Sequence, residues 1–113
     1  MEPLVILRKW TARIRTADEV EYANYIAETG GDDLHNTPGN LGHQIIVRDL
    51  GSGVSEISAL SWWSSMDAIR AFAGDDPEVA RYYPEDDRYL LNRPEVVEHH
   101  RVLLQRPALR DPI

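Results

Sequence analysis

The sequence predicts one α+β domain with the element order β-α-β-β-α-β and an antiparallel sheet. Three observations carry this. The chain has 113 residues, enough for one core and too few for two. Four runs rich in β-forming apolar residues occur at 4–14, 41–50, 54–63 and 96–104. Stretches with helical spacing separate the first run from the second and the third from the fourth. The domain therefore takes in 1–113, with a core over about 4–104 and an extended tail over 105–113.

The first run contains Val5, Ile6 and Leu7 and no breaker before Ile14. Thr16 with Glu19 three residues on has the spacing of a capping box. A helix is expected from Ala17 to about Thr29, with Val20, Ala23, Ile26 and Ala27 on its buried stripe. Gly30 and Gly31 are expected to end it. Residues 32–40 read as a loop with room for one helical turn. Ile45, Ile46 and Val47 centre the second strand, and Gly51-Ser52-Gly53 turns the chain into the third. Ser64 is the expected cap of the next helix, Ile69 and Phe72 face the core, and Gly74 stops it. Residues 75–93 read as polar, aromatic and irregular.

This order is the ferredoxin-like split motif. Its helices cover one face of the sheet. The other face carries large residues and needs a partner, so two sheets packed face to face, enclosing a cavity, are expected.

Composition narrows the function classes. Hydrophobic residues make up 42% and charged residues 27%, as in an ordinary globular chain. The net charge of −7 argues against nucleic-acid and anionic-membrane partners. The chain has no cysteine, so disulfides, thiolate zinc sites and iron–sulfur clusters are excluded. The apolar start before Arg8 and Lys9 is too short for a signal segment or a span, so a cytoplasmic protein is expected. The tail from Arg106 to Ile113 holds two prolines and is expected to be extended, wrapping a partner subunit or fraying.

Strand alternation places Arg8, Trp10 and Ala12 on one face, Ser61 with Trp63, and Val97 with His99 and Arg101. Trp10 and Trp63 are flat surfaces suited to an aromatic ligand; the plainer reading makes them core or interface residues. His99 and His100 point to opposite faces and do not share a metal ion. His99 is the candidate general base, because its face also carries Arg101; the plainer reading is a hydrogen-bonded structural histidine. The segment Tyr82-Tyr83-Pro84-Glu85-Asp86-Asp87-Arg88-Tyr89 reads either as a pocket lid whose tyrosines reach a polar substrate or as a surface loop held by ion pairs. Asp32, Asp33 and His35 read as a solvated turn rather than a metal site. No dinucleotide fingerprint, nucleophile elbow or His-Glu-x-x-His run is present.

Five motifs together resemble those of small bacterial proteins of the antibiotic biosynthesis monooxygenase-like group in the dimeric α/β-barrel superfamily. They are Arg8-x-Trp10, Thr37-Pro38-Gly39-Asn40-x-Gly42, Ser61-x-Trp63-x-Ser65-x-Asp67-Ala68-Ile69-x-Ala71-Phe72-Ala73-Gly74, Tyr82-Tyr83-Pro84-Glu85-Asp86-Asp87 and Val97-Glu98-His99. The likeness runs from Leu4 to about Leu104. It implies the same fold and a homodimer. Members oxidise phenolic or anthrone-like molecules with dioxygen and without metal or flavin, degrade haem, or only bind ligands. Trp63 matches the cavity tryptophan typical of the monooxygenases. Ala73 stands where the haem-degrading branch has its histidine, so haem ligation would have to fall to His99 or His43.

The resemblance therefore implies an enzyme that uses no cofactor and acts on an aromatic or quinol-type molecule. In that expectation Trp10, Trp63, Tyr82 and Tyr83 wall the substrate. His99 takes the phenolic proton, and Arg8 or Arg101 stabilises the oxyanion. The rival expectation is a non-catalytic, ligand-holding or stress-related dimer.

Overall fold

The structure is a computed structural model that describes residues 5–106. The expected strand start at Leu4 and the tail over 107–113 lie outside the described residues. Four strands, β1 (Val5–Arg15), β2 (Asn40–Gly51), β3 (Val54–Trp63) and β4 (Glu98–Val102), form one sheet in the order β2-β3-β1-β4. Every adjacent pair is antiparallel. This is the α+β ferredoxin-like arrangement that the alternation of elements predicts. Helices α1 (Glu19–Ile26), α2 (Asp32–Asn36), α3 (Met66–Ala73) and the single turn α4 (Asp86–Tyr89) complete it.

Register sorts the sheet into two faces. Ile6 stands opposite Trp63, Arg8 opposite Ser61, Trp10 opposite Ala59 and Ala12 opposite Ile57. These residues lie under the helices, where Ile6, Ala12, Ile14, Ile57 and Trp63 are buried. The other face carries Leu7 opposite Trp62 and His100, Lys9 opposite Leu60 and Glu98, and Ile46 opposite Ser58. Beyond the reach of β4, β1 is completed by Leu91, whose N–H donates to the Arg13 carbonyl at 2.8 Å. Asn92 Oδ1 accepts from the Arg13 N–H at 2.7 Å. The segment after α3 is thereby tied to the sheet edge.

Several local expectations are corrected. Thr16 and Glu19 do not form a capping box. Both reach buried Ser55 on β3: Thr16 Oγ1 lies 2.8 Å from Ser55 Oγ, which donates to Glu19 Oε2 at 2.5 Å. A buried hydroxyl on the sheet is a better partner for these groups than a solvated helix start. The cap of α3 is Ser65, not Ser64: its Oγ accepts from the Ala68 N–H at 3.0 Å. Gly74, at φ 97°, ends α3 as expected.

The first helix does not stop at the glycine pair. It passes through a wide π-type turn, Ala27–Gly31, into α2, and Gly31 is right-handed at φ −61°. Only the second glycine sits at a tight approach. A Cβ at Gly30 would lie 3.4 Å from the Tyr83 ring, and one at Gly31 would lie 3.2 Å from His43 Nε2. The buried stripe differs too: Tyr22 is buried while Val20 is 75% exposed. The large tyrosine ring, with a carboxylate waiting for its hydroxyl, takes the inward position. The last strand is shorter than expected, Glu98–Val102 rather than 96–104.

Candidate functional site

The space under the helices is not filled evenly. One buried cluster joins Ile6, Leu34, Trp63, Ile69 and Phe72, and a second joins Ile14, Tyr22, Ile57 and Tyr89. Between them lies a slot of about 70 Å³. Arg8, Trp10, Ala59 and Ser61 of the sheet form its floor; Tyr22, Ile26, Thr29, Gly30 and Leu34 form one wall; Phe72, Arg81, Tyr83 and Asp86 form the other. The slot therefore sits between sheet and helices of one chain. The expectation of a cavity between two sheets is corrected for these residues, because register turns Arg8, Trp10 and Trp63 toward the helices.

Arg8 dominates the floor. It is buried, at 7% exposure, and its Nη2 donates to the Val79 carbonyl at 3.3 Å. Its guanidinium carbon lies 5.5 Å from the centre of the Phe72 ring. Its Nε is buried with no hydrogen-bond partner. Among the described residues no carboxylate lies within salt-bridge distance of it. Burial first, then the neighbouring Arg81, lowers its pKa to about 10, so it remains charged at neutral pH. His99 stands directly across the β1–β4 ladder from Arg8, and its Nε2 is the other buried side-chain nitrogen or oxygen without a partner among the described residues. Burial, then the Arg8 charge, pushes its pKa below the ordinary imidazole value, so His99 is neutral.

The opposite wall is tied by side chains. Arg81 stacks on Phe72 and Tyr83 at 5.0 and 5.3 Å. Its Nη1 donates to the Phe72 carbonyl at 2.7 Å and its Nη2 to Asp33 Oδ2 at 3.3 Å. Tyr83 donates its hydroxyl to the same Asp33 oxygen at 2.5 Å. Burial and this bond raise the Tyr83 pKa above its ordinary value. Asp86, buried at 5% exposure, accepts from the Tyr22 hydroxyl at 2.9 Å and from the Tyr83 N–H at 2.6 Å. Burial and that carboxylate keep Tyr22 protonated far above the ordinary phenol range.

The expected site residues fall into three groups. Arg8, Trp10 and Tyr83 line the slot, with His99 beside Arg8. Tyr82 stands behind Trp10: the indole Nε1 donates to its hydroxyl at 3.2 Å, and that hydroxyl donates to the Pro94 carbonyl. Trp63 and Arg101 are not at the slot. Trp63 is fully buried, donates to Ser61 Oγ at 2.9 Å and packs on Phe72. Arg101 is exposed, opposite Ile6. The reading of Asp33 as part of a solvated turn is corrected: it lies in α2 and anchors Arg81 and Tyr83. Sequence reasoning missed Arg81, Phe72 and Tyr22. Arg81 directly precedes the tyrosine pair, which is the one signal that pointed to it.

The slot does not fit a haem. Its lining contains no histidine, and His43 is packed against Gly31 instead. A slot of about 70 Å³ is far below the hundreds of Å³ of ordinary cofactor sites. Among the described residues no three His, Cys, Asp or Glu side chains are grouped to hold a metal ion, and no helix is long and apolar enough to cross a membrane.

Against known structures the whole architecture has counterparts. An antibiotic biosynthesis monooxygenase-type protein from Bacillus cereus superposes with a TM-score of 0.61 at 16% identity, covering 95% of this chain and 100% of that one. A second, from Caulobacter crescentus, gives 0.59 at 18% identity, covering 91% and 92%. This chain has the ferredoxin-like fold of the antibiotic biosynthesis monooxygenase-like proteins. The haem degrader MhuD of Mycobacterium tuberculosis, with two haems in its active site, shares the fold at a TM-score of 0.56 and 20% identity, covering 91% and 98%. No protein-family model and no curated protein matches the sequence.

Proposed function

We propose that the chain is a cofactor-independent monooxygenase-like protein that binds a phenolic or quinol-type molecule in the slot. The observation that carries this reading is the buried, charged, carboxylate-free Arg8 at the slot floor beside neutral His99. A guanidinium so placed lowers the energy of an oxyanion forming next to it. Arg8 holds the anion, and His99, which stands across the ladder from Arg8 and outside the slot lining, accepts the phenolic proton once the bound substrate reaches past Arg8. Such an electron-rich anion reduces dioxygen directly, so the chemistry asks of the protein only a base, an oxyanion partner and a shaped space. Trp10, held by Tyr82, and Phe72 bound that space.

An aromatic ring needs more room than the slot has. A dry engineered cavity of roughly 150 Å³ holds benzene, about twice this volume. Substrate entry therefore entails a swing of Tyr83 and Arg81 away from Asp33. Oxygen uptake with hydroquinones and anthrones tests the reading. Turnover lost in both His99→Ala and Arg8→Gln is expected; wild type no faster than buffer, or an unimpaired His99→Ala, counts against it.

The open sheet face supports a homodimer. Leu7, Leu60, Trp62 and Ile46 lie on it beside Lys9, Glu98 and His100, and a second copy laid on it gives a closed barrel. Sedimentation should show a dimer that Trp62→Glu converts to monomer. The small slot favours a second reading, a dimer that holds a small ligand without turning it over. Native mass spectrometry of freshly purified protein separates the two: an unmodified ligand retained tightly, with no oxygen uptake, selects the carrier.

A further inference from the structure

Arg8 and Arg81 flank the same Phe72 ring, yet their charges are treated differently. Arg81 is half-exposed and paired with Asp33. Arg8 is buried and lines the slot, and among the described residues it has no carboxylate partner and its Nε no hydrogen-bond partner. A buried cation without a counter-ion is costly. Nearby groups do not supply one. Tyr83 stays protonated, and Asp86, at the other wall, already accepts from Tyr22 and Tyr83. Each of those Asp86 bonds occupies an oxygen, and neither oxygen lies within salt-bridge distance of Arg8 among the described residues.

We infer that the slot selects a molecule carrying a fixed negative charge, a carboxylate seated on Arg8, over neutral molecules of the same shape. This rests on reading the slot as a ligand site and deepens the ligand-holding reading, because the carboxylate takes the place on Arg8 that the catalytic reading gives to the phenolate oxygen. A carboxylate matches the guanidinium in charge and shape and supplies the counter-charge that Arg8 lacks. A neutral phenol provides no counter-charge until it has ionised. The Asp86 wall repels an anion, so the carboxylate is directed to the sheet side and the rest of the ligand toward Trp10 and Tyr83. The volume of about 70 Å³ admits the carboxylate end, and a ring must follow through the Tyr83 side.

The test is calorimetry and thermal shift on the full-length protein with sodium benzoate against benzamide, and sodium acetate against acetamide. Each acid is expected to bind at least tenfold more tightly than its amide and to raise Tm. Arg8→Gln should abolish that preference without lowering Tm in ligand-free buffer. Acid and amide binding equally, neither binding at all, or an acid preference that survives in Arg8→Gln each overturns the inference. The acid–amide comparison stands on the wild type alone if Arg8→Gln fails to fold. The two readings fail separately. Quinol oxidation without an acid preference keeps the enzyme and overturns the carboxylate subsite; an acid preference without turnover keeps the subsite and overturns the enzyme.

Discussion

The two buried clusters on the covered sheet face are built from different materials. The one under α3 is a dry contact of Ile6, Leu34, Trp63, Ile69 and Phe72, with the Trp63 indole bonded to Ser61. The other stacks Tyr22 on Tyr89 at 4.8 Å with Ile14 and Ile57, and hangs its hydroxyl chemistry on buried Asp86. Apolar burial stabilises the first. The second adds a hydrogen-bonded link to the segment that carries Arg81 and Tyr83. The slot lies in the seam between them, and its Phe72–Asp86 wall is held by polar ties to Asp33 and Tyr22.

Substitutions separate the two clusters, and the dry one should give the largest effect. Trp63→Ala should cost about 3–5 kcal/mol, read by urea denaturation, as for large aromatic truncations in packed cores. Tyr22→Phe removes one hydroxyl and leaves Asp86 short of a donor, at a cost of about 1–3 kcal/mol. Equal costs for the two would erase the distinction between clusters. Asp33→Ala cuts the ties to Arg81 and Tyr83 at a half-exposed position. It should cost about 1 kcal/mol or less and speed amide exchange at Arg81 and Tyr83. Unchanged exchange there would mean that Asp33 does not hold the wall.

The sheet was legible in the sequence because period-two alternation and β-branched runs report a pleated surface directly. Residues 54–63 were placed without error, and Arg8, Trp10 and Ala12 were assigned to one face. What alternation does not report is which face the helices cover, so Arg8, Trp10 and Trp63 are expected at a cavity between two sheets but face the helices. The Gly30–Gly31 pair misled for a related reason. Glycine signals both a left-handed stop and a close approach, and at Gly31 only His43, distant in sequence, decides between them. Trp63 looked like a ligand wall because tryptophan suits either role; its depth behind Phe72 is a tertiary fact. Arg81 and Asp33 lie 48 residues apart, and no local pattern joins them.

The smallest effect is the one that probes the Arg8 end of the seam, the pH dependence of His99. Its folded pKa lies below the ordinary value because burial and the Arg8 charge oppose protonation, while Glu78 pulls weakly the other way and His100 adds to the fall. The unfolded chain therefore takes up a proton at higher pH than the folded chain. Stability rises with pH wherever the unfolded state binds more protons. Acidification from pH 8 through the ordinary imidazole range should thus destabilise the protein, with the loss complete below the folded pKa. Glu98, held below its ordinary value by His100, titrates in the separate carboxylate range. His99→Gln should flatten the imidazole-range slope in urea titrations. An anion seated on Arg8 should lessen it in the wild type, because it cancels the Arg8 charge and leaves burial as the main remaining cause. A slope unchanged in His99→Gln would place the acid sensitivity in another histidine and uncouple His99 from the slot.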